Sequence, residues 1–122
     1  MTDWEQDFAY QRVRHLVQAR FRRGTLPDLN ALLFLIGVQE LGRWQADFTK
    51  EEKRDLMHVA VCRLFAEDGH YRFEGRDADG WPHYALTSKI APVDLKGQEE
   101  LLKAKIVGYF EELELTEGRI DS

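Results

Sequence analysis

Hydrophobic and polar positions follow a helical period along most of this chain. Ala9, Tyr10, Val13, Leu16, Val17 and Phe21 share one arc of a wheel turned by about 100° per residue, with Asp7, Gln11, Arg14, His15, Gln18 and Arg22 opposite. The spacing predicts a first helix over Asp3–Arg23. Thr2 and Glu5 have the spacing of a capping box that would open it, and Gly24 in a left-handed conformation would stop it. Pro27 keeps Leu26 out of helical geometry and Asp28 is a good N-cap, so a second helix is expected over Leu29–Leu41. Its residues from Ala31 to Ile36 are all apolar and point all round the helix, which must therefore be covered on more than one side. Gly37 allows a close helix crossing there, and Gly42 ends the helix. Thr49 and Glu52 form another capping box and Gly69 another stop. Between them Leu56, Met57, Ala60, Val61, Leu64 and Phe65 keep an i, i+3, i+4 stripe, predicting a third helix over Lys50–Asp68. Pro92 and Asp94 precede a fourth helix, Leu95–Leu115, with Leu95, Leu102, Ile106, Tyr109, Phe110 and Leu113 as its stripe.

The period changes between the third and fourth helices. GHYRFEGRDADGWPHYALTS is rich in aromatic residues and interrupted by D-A-D-G, which predicts a β-hairpin. Ala78 and Asp79 form its type I turn, and Gly80 supplies a positive φ. In that register Asp77 faces Trp81, Phe73 faces Ala85 and Tyr71 faces Thr87. Tyr71, Phe73, Trp81, His83 and Ala85 then share the face that packs on the helices, with Arg72, Glu74, Arg76, Tyr84 and Leu86 on the other. The expected fold is α+β: four helices with one antiparallel β-hairpin between helix 3 and helix 4. Residues 1–115 are expected to form a single compact domain and residues 116–122 a frayed C-terminal tail.

Composition narrows the function classes. The formal charge of −5, with 32% charged residues, repels polyanions overall, so nucleic-acid binding would need a local basic patch. Cys62 is the only cysteine and MTDWEQDF has neither the basic nor the apolar region of a signal peptide, so a reducing cytoplasm is the expected location. The densest apolar run is about half the length needed to cross a bilayer, which assigns it to a core or an interface and leaves the membrane out as a partner.

Candidate chemistry is sparse. RDADGWPHY suggests the start of a calcium loop, but with Gly80 at the sixth position Gly75 and Leu86 would fall where the first and twelfth ligands belong. A turn already accounts for Asp77 and Asp79. His58 and Cys62 stand at i and i+4 on the third helix and, with His70 or His83, could serve a small enzyme or a metal protein. They also flank the apolar stripe, where a histidine and a buried thiol pack without function. No nucleotide-binding or nucleophile motif occurs, no cofactor is implied, and neither a catalytic residue nor a metal ligand is assigned.

Arg14, Arg22 and Arg23 are the candidates for docking an anion, although the arginines of QRVRHLVQARFRRG leave the helix in several directions. The order of elements is that of a winged helix, yet the third helix opens on the acidic KEEKRD and follows a long link, which disfavours nucleic acid. By elimination the expected function is a non-catalytic interaction or regulatory module. Its favoured partner is a second copy, bound through the second helix or the aromatic hairpin at Leu33, Phe34, Ile36, Trp81 and Tyr84; another protein is the alternative.

Overall fold

The computed structural model describes the backbone at residues 3–21, 24–88 and 95–116, and side chains at 4–21, 24–88 and 97–113. Chain order is α1 (Asp3–Arg20), α2 (Leu29–Leu41), α3 (Lys50–Ala66), β1 (Tyr71–Arg76), β2 (Pro82–Leu86) and α4 (Leu95–Thr116). This is the expected α+β fold of four helices with a two-stranded antiparallel sheet between the third and fourth. Among the described residues no helix is long and apolar enough to cross a membrane. Thr2, Arg22, Arg23, Pro92, Asp94 and residues 117–122 of the expected tail lie outside the described residues. The chain divides into two compact units, Met1–Leu32 with Val93–Ser122 and Leu33–Pro92.

In the first unit α1 packs on α4. The amphipathic pattern of α1 buries Tyr10, Val13 and Val17, and α4 buries Ile106, Val107, Tyr109 and Phe110. Gln6 Nε2 donates to the Glu100 carbonyl at 3.0 Å, and Lys103 Nζ lies 5.1 Å from the centre of the Tyr10 ring. The arc of α1 is narrower than its periodicity implies: Phe21, expected in the core, is exposed. Gly24 also departs from expectation, since among the described residues the positive-φ glycines are Gly42, Gly69, Gly75 and Gly80. Arg14 holds the entry to the next helix, donating from Nε to the Pro27 carbonyl and from Nη1 to Gln11 Oε1, each at 2.8 Å. Asp28 caps α2 as expected, its Oδ1 accepting from the Ala31 N–H at 2.8 Å.

In the second unit, the rest of α2, α3 and the hairpin share a core. The capping box forms in full: Glu52 N donates to Thr49 Oγ1 at 3.1 Å and Thr49 N to Glu52 Oε1 at 2.9 Å. Leu56, Val59, Ala60, Cys62, Leu64 and Phe65 are the buried side of α3. Leu41, Phe48 and Leu56 form an apolar cluster against which Phe34, Val38 and Trp81 pack. On α2 Leu33 and Ile36 are buried, whereas Phe34, Leu35 and Val38 are half-buried.

The hairpin forms at its turn as the sequence predicts. Asp77 N donates to the Trp81 carbonyl and Gly80 N to the Asp77 carbonyl, both at 3.0 Å, and Gly80 has φ 88°. From Arg76↔Pro82 to Gly75↔His83 the register is the expected one. Beyond it an extra residue, Glu74, is inserted beside Gly75, whose φ is 114°, and the pairs become Phe73↔Tyr84, Arg72↔Ala85 and Tyr71↔Leu86. Phe73 and His83, expected on the helix-packing face, are exposed, whereas Pro82 is buried and Tyr84, expected opposite, is half-buried.

Candidate binding cleft between α3 and the hairpin

Residues 55, 58, 59 and 62 are spaced i, i+3, i+4 and i+7, so Asp55, His58, Val59 and Cys62 stand on one stripe of α3. The turn and β2 bring Asp77, Trp81, Pro82, His83 and Tyr84 opposite, enclosing a cleft of about 320 Å³. Arg76 fixes the hairpin to the end of α2, its Nη2 donating to the Glu40 carbonyl at 2.7 Å and its Nη1 to the Gly80 carbonyl at 2.9 Å. Tyr84 also lines a second hollow with Phe73, Arg76, Arg63, Glu40 and Glu67, its ring centre 5.5 Å from that of Phe73. Burial raises the pKa of Tyr84.

Asp77 serves the turn with both oxygens. Its Oδ1 accepts from the N–H groups of Asp79 and Trp81 at 2.9 and 3.0 Å, and its Oδ2 accepts from His83 Nε2 at 2.9 Å. The bond from His83, then that from the Trp81 N–H, holds the Asp77 carboxyl below its ordinary value. Cys62 Sγ lies 3.6 Å from His58 Nε2. Three of the four residues considered for chemistry, His58, Cys62 and His83, therefore line one cleft, whereas His70 bonds through Nδ1 to Ser88 Oγ at 3.1 Å and does not line it.

Burial pushes the Cys62 thiol up to about 11, so at neutral pH the sulfur keeps its proton and is a poor nucleophile. Alkylation of the native chain by iodoacetamide at pH 8 is expected to be at least about 100-fold slower than that of the unfolded chain, because the thiolate fraction falls tenfold per pKa unit and the sulfur is covered. The native rate should keep rising as pH increases toward 11. A native rate that levels off near pH 8 would show an ionised, activated thiol instead.

Of the other candidates, Trp81 and Tyr84 line the cleft, and Phe34 packs edge-on to Trp44 and Phe48 at 6.1 and 5.9 Å. Arg14 lines a hollow in the first unit together with Lys103, Asp28 and Glu99, two cations facing two acids. Arg22 and Arg23 lie outside the described residues. Among the described residues no group of three His, Cys, Asp or Glu side chains is arranged to hold a metal ion. The sequence reading missed Asp55, whose only signal is its position three residues before His58 on the same helical face. No family model, curated protein or solved structure matches this chain.

Proposed function

We propose that this chain is a non-catalytic protein-interaction module that self-associates through its hairpin. The observation that carries this reading is apolar surface left open on the ribbon: Phe73 is 51% and Leu86 58% exposed. By register Phe73 stands beside Tyr84, and Leu86 follows two residues along the same strand on the same side. Clustered exposed apolar side chains rimmed by charge mark interaction surfaces, and a twofold pair is the commonest way of covering one.

Light scattering across a dilution series tests the reading. A mass near twice 14.3 kDa is expected at high concentration, returning to 14.3 kDa on dilution and in the Phe73→Glu chain at every concentration. Phe73 is exposed, so the substitution should leave the helical circular dichroism unchanged. A native chain that stays at 14.3 kDa throughout would overturn self-association, as would a dimer indifferent to Phe73→Glu and Leu86→Glu together.

A further inference from the structure

The cleft between α3 and the hairpin carries charge that its own walls do not neutralise. Asp55 and Asp77 both line it, and none of its described lining residues is a lysine or an arginine. Asp77 is occupied by the turn and by His83. Asp55 makes no hydrogen bond or ion pair among the described residues and is exposed at the cleft. The guanidinium groups beside the turn are directed elsewhere, Arg43 Nη1 donating to the Asp79 carbonyl at 2.8 Å and Arg76 to the carbonyls of Glu40 and Gly80.

The remaining walls are Val59, Cys62, Trp81, Pro82 and Tyr84, with the imidazoles of His58 and His83 beside them. A cleft of about 320 Å³ stands at the lower end of ligand pockets, which run from about 300 to 1,000 Å³, and suits a single inserted side chain. Indole and phenol rings attract a cation over their faces, indole the more strongly. A carboxylate at the mouth adds a charge-assisted acceptor. A long basic side chain answers both features, since its methylene stem can lie on apolar surface while its charged head reaches the acid.

We infer that this cleft binds the basic side chain of a protein partner, an arginine whose guanidinium stacks on Trp81 and donates to Asp55. Arginine fits better than lysine because its head is planar and weakly hydrated and presents a fork of donors that matches a carboxylate. The formal charge of −5 on the whole chain attracts such a partner. An anion would instead meet two carboxylates and no fixed positive charge in the lining.

The test is a titration of the ¹⁵N-labelled full chain with Nα-acetyl-arginine amide at pH 7.5 and low salt, repeated with Nα-acetyl-citrulline amide, which has nearly the same shape without the charge. The arginine amide should give saturable shifts at the Trp81 indole N–H and at the amides of Asp55, His58 and His83, with Kd on the order of 1 mM. The citrulline amide should give none. Asp55→Asn should weaken binding about fivefold, and added salt should weaken it in the native chain. Repeating the titration on the Leu86→Glu chain separates this inference from self-association, because Leu86 lines neither the cleft nor the hollow beside it. Absence of saturable shifts, equal shifts from citrulline, or an Asp55→Asn chain that is folded and binds with unchanged affinity would each overturn it.

Discussion

Replacing Gly37 by alanine is expected to destabilise the unit formed by residues 33–88 by about 3 kcal/mol, and by more if the helices cannot move apart. A Cβ built at Gly37 would lie 2.1 Å from the Leu56 carbonyl oxygen, 2.6 Å from the Leu56 carbonyl carbon and 2.8 Å from the Leu56 Cβ. Two of those atoms are backbone of α3, so no side-chain rotation can relieve the contact. Relief requires α2 and α3 to separate, which opens the Leu41, Phe48 and Leu56 cluster built across them. Alanine is the better helix former by about 1 kcal/mol, which offsets only part of that cost. Urea denaturation followed by far-ultraviolet circular dichroism should show a lower midpoint at an unchanged slope. A midpoint at or above that of the native chain would mean that the two helices do not cross this closely. The cleft should suffer as well, because α3 carries Asp55, His58, Val59 and Cys62 on the stripe that faces the hairpin.

What the sequence reveals of this chain is mostly what local chemistry decides. Asp28 and the Thr49–Glu52 pair cap their helices because the side chains reach N–H groups only three residues away, and no distant residue is needed to identify them. The turn at Asp77 is equally local, since the carboxylate bonds Asp79 and Trp81 and Gly80 relieves the positive φ. The bulge at Glu74 is different: Gly75 permits it, but whether a residue is inserted depends on how the strands meet α3. The apolar run of α2 correctly demanded cover without showing whether this chain or a second copy supplies it. Asp55 escaped notice because an acid beside an apolar stripe is ordinary, and it becomes a candidate only once the hairpin places Trp81 in the same cleft.

Leu56→Ala should cost about 2–5 kcal/mol, a large part of the 5–15 kcal/mol that holds a domain of this size folded. Leu56 is fully buried, and its neighbours are side chains that cannot close over the missing carbons without breaking other contacts. Phe34, Trp44 and Phe48 are locked edge to face at 5.9–6.1 Å, and Trp81 packs on the same cluster from the hairpin. A void beneath them loses both the transfer free energy of the removed atoms and the dispersion contacts of its lining. Trp81 joins the cluster to the cleft, so the loss extends to the surface. With Leu56 truncated the indole has less to rest on, and the arginine amide should bind several-fold more weakly even where the chain remains folded. Equilibrium unfolding in urea gives the stability change, and the Trp81 indole resonance under titration gives the binding change. A cost below about 1 kcal/mol would place Leu56 outside the centre of this core. A full loss of stability with unaltered binding to the folded fraction would show that the cleft is shaped by the hairpin alone.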